Sequence, residues 1–218
     1  MKFLLSIVAI AMLVLIAGCA VDPCKGDDTC YLKKAMDAKD ALSCVKISAD
    51  GLQASCFMDL AKAQLDTKLC ANIKDPRAVA YCVGEIAELK NDTALCQAID
   101  VSAAKDKCLY TLASANKDAK LCADIVQDQY GDDCAYDIAL DIHSAEDCSY
   151  VDGSTAKTKC YTFVAADLND TSVCSNLAAE SKDWCVANIA IKTKNMTACV
   201  GVKDVKIAIA CKDGAKPK

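Results

Sequence analysis

Apolar and polar positions recur along this chain with a fixed period. In the stretch from Asp92 to Lys117, Cys96 and Cys108 lie twelve apart, and Cys122 follows fourteen later. The alternation of twelve and fourteen continues along most of the chain, giving a 26-residue period that marks stacked repeats rather than one irregular core. The first cysteines of the pairs are Cys44, Cys70, Cys96, Cys122, Cys148, Cys174 and Cys199. Four residues before each stands Asp40, Asp66, Asp92, Asp118, Ser144, Asp170 or Asn195, all suited to accept a free backbone N–H at a helix start. Three residues after each stands an aliphatic, from Ile47 and Ile73 to Val202, on the cysteine's own face. This predicts a short helix of about two turns around each first cysteine.

The second cysteines, Cys56, Cys82, Cys108, Cys134, Cys160 and Cys185, are followed at +4 by Leu60, Ile86, Leu112, Ile138, Val164 and Ile189. At +5 comes alanine every time: Ala61, Ala87, Ala113, Ala139, Ala165 and Ala190. Positions 0, +1, +4 and +5 form one helical stripe. It predicts a helix of about 13 residues, starting near Asp50, Asp75-Pro76, Ser102, Asp128, Ser154 and Asp204. The invariant small residue predicts close approach of a neighbouring helix. Neither a two-turn helix nor a single 26-residue hairpin is stable alone. The expected fold is therefore an all-α solenoid of disulfide-stapled helical hairpins.

Two pairings of the cysteines respect the repeat. One joins partners within a hairpin: Cys24–Cys30, Cys44–Cys56, Cys70–Cys82, Cys96–Cys108, Cys122–Cys134, Cys148–Cys160, Cys174–Cys185 and Cys199–Cys211. The other joins successive hairpins, from Cys30–Cys44 to Cys185–Cys199, and strands Cys24 and Cys211. The first leaves no orphan and matches the heights of the two sulfurs better at 1.5 Å of rise per residue. Bridges between like helices of adjacent repeats remain a further possibility. The spacing of eleven from Cys174 to Cys185 places a deletion in the corner between the two helices, where a loop absorbs it.

The N-terminus has its own pattern. Lys2 precedes an apolar run from Phe3 to Ile16, and then comes Leu15-Ile16-Ala17-Gly18-Cys19. This resembles the lipobox of prokaryotic lipoproteins, with Ile16 in the place that often holds leucine. The resemblance implies a signal peptide over residues 1–18, diacylation of Cys19 and an outer-face membrane anchor. The competing reading is an uncleaved anchor, since Phe3 to Val21 is just long enough to span. Either reading exports the chain to an oxidising compartment. Residues 19–23 then form a tether and 24–39 an N-terminal capping half-repeat. Residues 40–218 form the repeats, which end in a C-terminal cap and polar tail. No Pro/Gly-rich linker divides them, so one elongated domain is expected. The repeats resemble Cys-rich helical hairpins of exported prokaryotic proteins, a likeness that lends no residue roles.

Composition narrows the chemistry. The chain has 54% hydrophobic residues but only 5% aromatics, so aliphatics, alanine and cystine must build the core. Net charge is −5, and −6 once Lys2 leaves with the leader, which argues against nucleic acid and against adsorption to anionic lipid. His143 is the single histidine, with no Gly-x-Ser-x-Gly elbow for a serine triad to use, and the expectation is a solvated side chain. Asp132-Asp133 is better read as helix-start acid than as catalytic carboxylate. No Cys-x-x-Cys knuckle supports a metal site, so neither a metal nor any other cofactor is expected. Three sequons, at Asn91, Asn169 and Asn195, share the junction between repeats and are glycan candidates. Trp184 and Tyr81, each directly before a second cysteine, and Tyr130, in the corner of its unit, are candidates for a binding strip, for core packing or for isolated surface residues.

The expectation for function is a non-catalytic, lipid-anchored surface protein for binding or adhesion, with a membrane and another protein or an envelope glycan as partners. The alternatives are a structural spacer of the cell envelope and a thiol-based metal-binding or redox protein.

Overall fold

The computed structural model describes residues 22–216, and every described secondary-structure element is helical. The fold divides into two compact units, up to Lys74 and from Asp75. The leader and Cys19 lie outside the described residues.

In the first unit, helix α1 (Asp28–Ala38) is followed by a one-turn helix at Ala41–Val45, then α2 (Asp50–Gln64) and a 3-10 turn at Thr67–Asn72. The Asp27 carboxylate caps α1 by accepting from the N–H groups of Thr29 and Cys30. Helix α1 packs on both Ala41–Val45 and α2. Cys24–Cys30 staples the entry loop to α1, and Cys44–Cys56 closes the hairpin.

The second unit runs through long helices α3 (Pro76–Lys90), α4 (Ser102–Asn116), α5 (Asp128–Asp141), α6 (Ser154–Leu168), α7 (Ala179–Thr193) and α8 (Val205–Gly214). Short turns at Thr93–Gln97, Ala119–Asp124, Asp147–Tyr150, Thr171–Asn176 and Met196–Gly201 join them. Within this unit each long helix packs on the next, from α3 on α4 through to α7 on α8, and each short turn lies against the two helices it joins. Nearest-neighbour packing of this kind is what defines a repeat stack.

The invariant alanine has two roles. Ala35, Ala61, Ala87, Ala113, Ala139, Ala165 and Ala190 are all fully buried, so a neighbour closes over each methyl. Their carbonyls also accept the N–H five residues on, as from Asp118 to Ala113 at 3.0 Å. The residue just before that donor sits in the left-handed region: Lys39, Leu65, Asn91, Lys117, His143, Asn169 and Lys194 all have φ between 52 and 55°. That is a Schellman stop, repeated seven times without a glycine. It runs most long helices to 15 residues rather than the expected 13.

The expected two-turn helices are shorter. Only Ala41–Val45 and Thr93–Gln97 are α-helical, and the others are 3-10. The aliphatic three residues after each cysteine explains this. Its N–H donates to the cysteine carbonyl, as from Ile73 to Cys70 at 3.0 Å and Ile125 to Cys122 at 3.1 Å. An i to i+3 bond closes a tight turn and then releases the chain. Six of the seven expected N-caps accept the N–H two residues on. Ser144 differs: its hydroxyl accepts from Asp147, three residues on, and the turn there starts later. The deletion before Cys185 falls in the corner, because α7 begins five residues after Cys174 where its neighbours begin six after theirs.

Candidate interaction surface

All sixteen cysteines from Cys24 to Cys211 are disulfide-bonded. Within the first unit the bridges are Cys24–Cys30 and Cys44–Cys56. Within the second they are Cys96–Cys108, Cys122–Cys134, Cys148–Cys160, Cys174–Cys185 and Cys199–Cys211. These seven have Cα–Cα separations of 5.4 to 5.8 Å, inside the range a bridge spans without moving backbone. Cys70 and Cys82 are disulfide-bonded and fully buried as well. The sulfur of the described chain is therefore structural, and no thiolate among it is available as ligand or nucleophile.

Four carboxylates, of which the sequence singled out only Asp132, hold successive repeats in register. They stand two residues before a second cysteine. Asp28 accepts from the N–H groups of Ser48 and Ala49, Asp106 from Val126 and Gln127, Asp132 from Asp152 and Gly153, and Asp183 from Lys203 and Asp204. Each reaches two successive N–H groups at the next corner, where a long helix begins. Of the helices so served, α2, α5 and α6 have no hydrogen bond from their own N-cap side chain, whereas α8 is also capped by Asp204. Asp106 and Asp183 are buried. The backbone N–H groups of Ser48 and Ala49 hold the Asp28 carboxyl below its ordinary range. Asp132 thus belongs to the scaffold, and its neighbour Asp133 accepts from Gln129.

The remaining candidates are exposed. His143 is a left-handed stop residue with Nδ1 3.8 Å from Asp167. The Asn195 carboxamide is engaged in capping its own turn through the Thr197 N–H. Asn91 accepts from Asn116 at 2.7 Å. Asn169 is exposed at a left-handed stop. Among the described residues there is no cluster of three or more metal-ligating side chains, and no helix is long and apolar enough to cross a membrane.

The outward side of the second unit's long helices carries an aromatic series. Tyr81 on α3 and Trp184 on α7 stand out into solvent directly before their cysteines. Tyr130 lies in the first turn of α5 rather than in a corner, because that helix begins at Asp128. It stacks on Tyr110 of α4 with ring centroids 4.7 Å apart. Tyr136 of α5 meets Phe163 of α6 edge to face at 6.5 Å. Lys107 lies 6.0 Å above the Tyr81 ring. Tyr110 also donates to Asp137, and burial together with that bond pushes its phenol up to about 12.

Tyr110, Tyr136 and Phe163 were not among the sequence candidates. Their signal was the register: positions +2 and +3 from a second cysteine turn away from the apolar stripe. Beside the rings, a groove of about 540 Å³ separates the starts of α5 and α6, lined by Gln129, Asp133, Tyr136, Thr155 and Lys159 among others. Exposed and half-buried rings beside amide, carboxylate, hydroxyl and ammonium groups can hold a polar ligand that offers both flat apolar faces and hydrogen-bonding edges. Comparison with known protein families, curated proteins and solved structures gives no match to this chain.

Proposed function

We propose that the protein is a non-catalytic binding or adhesion module, exported and held at the outer face of a membrane through lipid on Cys19, and that the aromatic series of its second unit is the contact surface. The observation that carries this reading is the pairing of a wholly cross-linked core with three exposed rings, Tyr81, Phe163 and Trp184, beside the half-buried Tyr110, Tyr130 and Tyr136. A cystine in each hairpin suits a chain that must keep its shape outside the cell. The partner class is an envelope glycan or the exposed segment of another envelope protein.

The test is retention of the soluble chain on immobilised envelope polysaccharide and envelope protein fractions, beside a Tyr81→Ala/Phe163→Ala/Trp184→Ala variant. All three side chains are exposed, so the variant should unfold within about 0.5 kcal/mol per site of the parent. The reading expects retention of the parent on one fraction and at least a tenfold loss in the variant, since three ring contacts are removed. Equal retention of the two proteins, or none of either, would leave the envelope-spacer reading in its place.

A further inference from the structure

Net charge conceals a segregation. Residues 92–183 carry seventeen acids against seven lysines, whereas residues 192–218 carry seven lysines against two aspartates. Part of that basic end is neutralised: Lys192 pairs with Asp167, and Lys216 with Asp213. Lys194 donates to the Gly214 carbonyl, which leaves its charge uncompensated. Lys203, Lys206 and Lys212 are exposed, and among the described residues no acid lies within ion-pairing distance of them.

The same end is where the stack changes its face. In α4, α5 and α7 the residue two before the cysteine is an aspartate turned to the next corner. In α8 that position is Ile209, 58% exposed, one turn after Val205 at 72%. Lys212 continues the row at i+7 from Val205, with Lys206 at its flank, and Asp213 beside it is paired with Lys216 just past the helix end. The face through which an earlier long helix receives its successor is here open, apolar along its centre and lysine-edged.

We infer that this face of the C-terminal repeat rests on an anionic bilayer surface. Val205 and Ile209 enter the boundary between headgroups and acyl chains, and the lysines meet lipid phosphates. Apposition of the same face on a second copy would set lysine against lysine. The acidic repeats keep the rest of the second unit off such a surface, so adsorption is through one end. Acylation of Cys19 is not required.

Vesicle co-sedimentation of the unacylated chain from Ala20 onward, which contains every described element, tests this. Phosphatidylcholine vesicles with about one third phosphatidylglycerol are compared with pure phosphatidylcholine at low salt. The expected result is binding at least tenfold stronger to the anionic vesicles, declining as salt rises. Lys206→Gln and Lys212→Gln should each weaken it about fivefold, and Val205→Ser/Ile209→Ser should weaken it with unchanged unfolding temperature. Equal binding to both vesicle types, no binding, or variants that bind like the parent would overturn the inference. So would salt-sensitive self-association without lipid that the same variants abolish, since the face would then belong to a second copy.

Discussion

A single carboxylate does unusual structural work in this chain. Asp106 is 5% exposed and accepts from Val126 at 2.8 Å and Gln127 at 3.2 Å. Asp106→Ala would leave two N–H groups without partners where water has little access, at a cost of about 3 kcal/mol. Asp59→Ala, which removes only a surface pair with Lys62, should cost under about 0.5 kcal/mol. Denaturant unfolding of the two variants checks the contrast. Acid tests the same principle. Hydrogen bonds from Ser48 and Ala49 lower Asp28, those from Thr29 lower Asp27, and those from Ser43 and then Leu42 lower Asp40. A folded value below the unfolded one contributes stability that is present above the unfolded pKa and lost as pH falls through the folded one. Thermal stability should therefore hold from neutrality to about pH 5 and fall below about pH 4. These clamps were hidden in the sequence because each spans 20 or 21 residues, and their aspartates read simply as polar positions on an amphipathic helix.

At the scale of the element, the stripe of cysteine, aliphatic and alanine was legible because it follows helical geometry over a long helix. Leu112, Ala113 and Cys108 are buried together as that geometry requires. The short turns were read as too long. A cysteine and an aliphatic at i and i+3 satisfy a 3-10 turn as well as an α-helix, and the carbonyl bond that decides between them leaves no mark on residue type. The helix stops were also missed, because the left-handed position holds lysine, leucine, asparagine or histidine rather than glycine. Each such residue is strained by its Cβ. Leu65 has φ 53° and an exposed side chain. Leu65→Gly should thus raise stability by about 0.5 kcal/mol, the relief of strain exceeding the added chain entropy. A fall in the unfolding midpoint would show that Leu65 makes a contact worth more than its backbone strain.

Across the whole molecule, cystine takes the place that large aromatic and aliphatic side chains hold in other cores. Each hairpin bridge that closes a loop of about twelve residues contributes about 3 kcal/mol on the chain-entropy account. Several such bridges explain how helices of 10 to 15 residues and turns of 4 to 6 persist with few aromatics. Tyr31, Phe57 and Tyr161 are buried, whereas Tyr81, Phe163 and Trp184 stand at the surface, and those three are the side chains the proposed function uses. The central claim is that the sulfurs join the two helices of one hairpin. Non-reducing digestion before aspartate, with mass mapping of the linked peptides, tests it most directly, since Asp100, Asp118, Asp128 and Asp141 separate consecutive cysteines. The account predicts linked peptides carrying Cys96 with Cys108, Cys122 with Cys134 and Cys148 with Cys160, and no alkylatable thiol from Cys24 to Cys211. Peptides joining Cys108 to Cys122, or free thiols in the native protein, would contradict it.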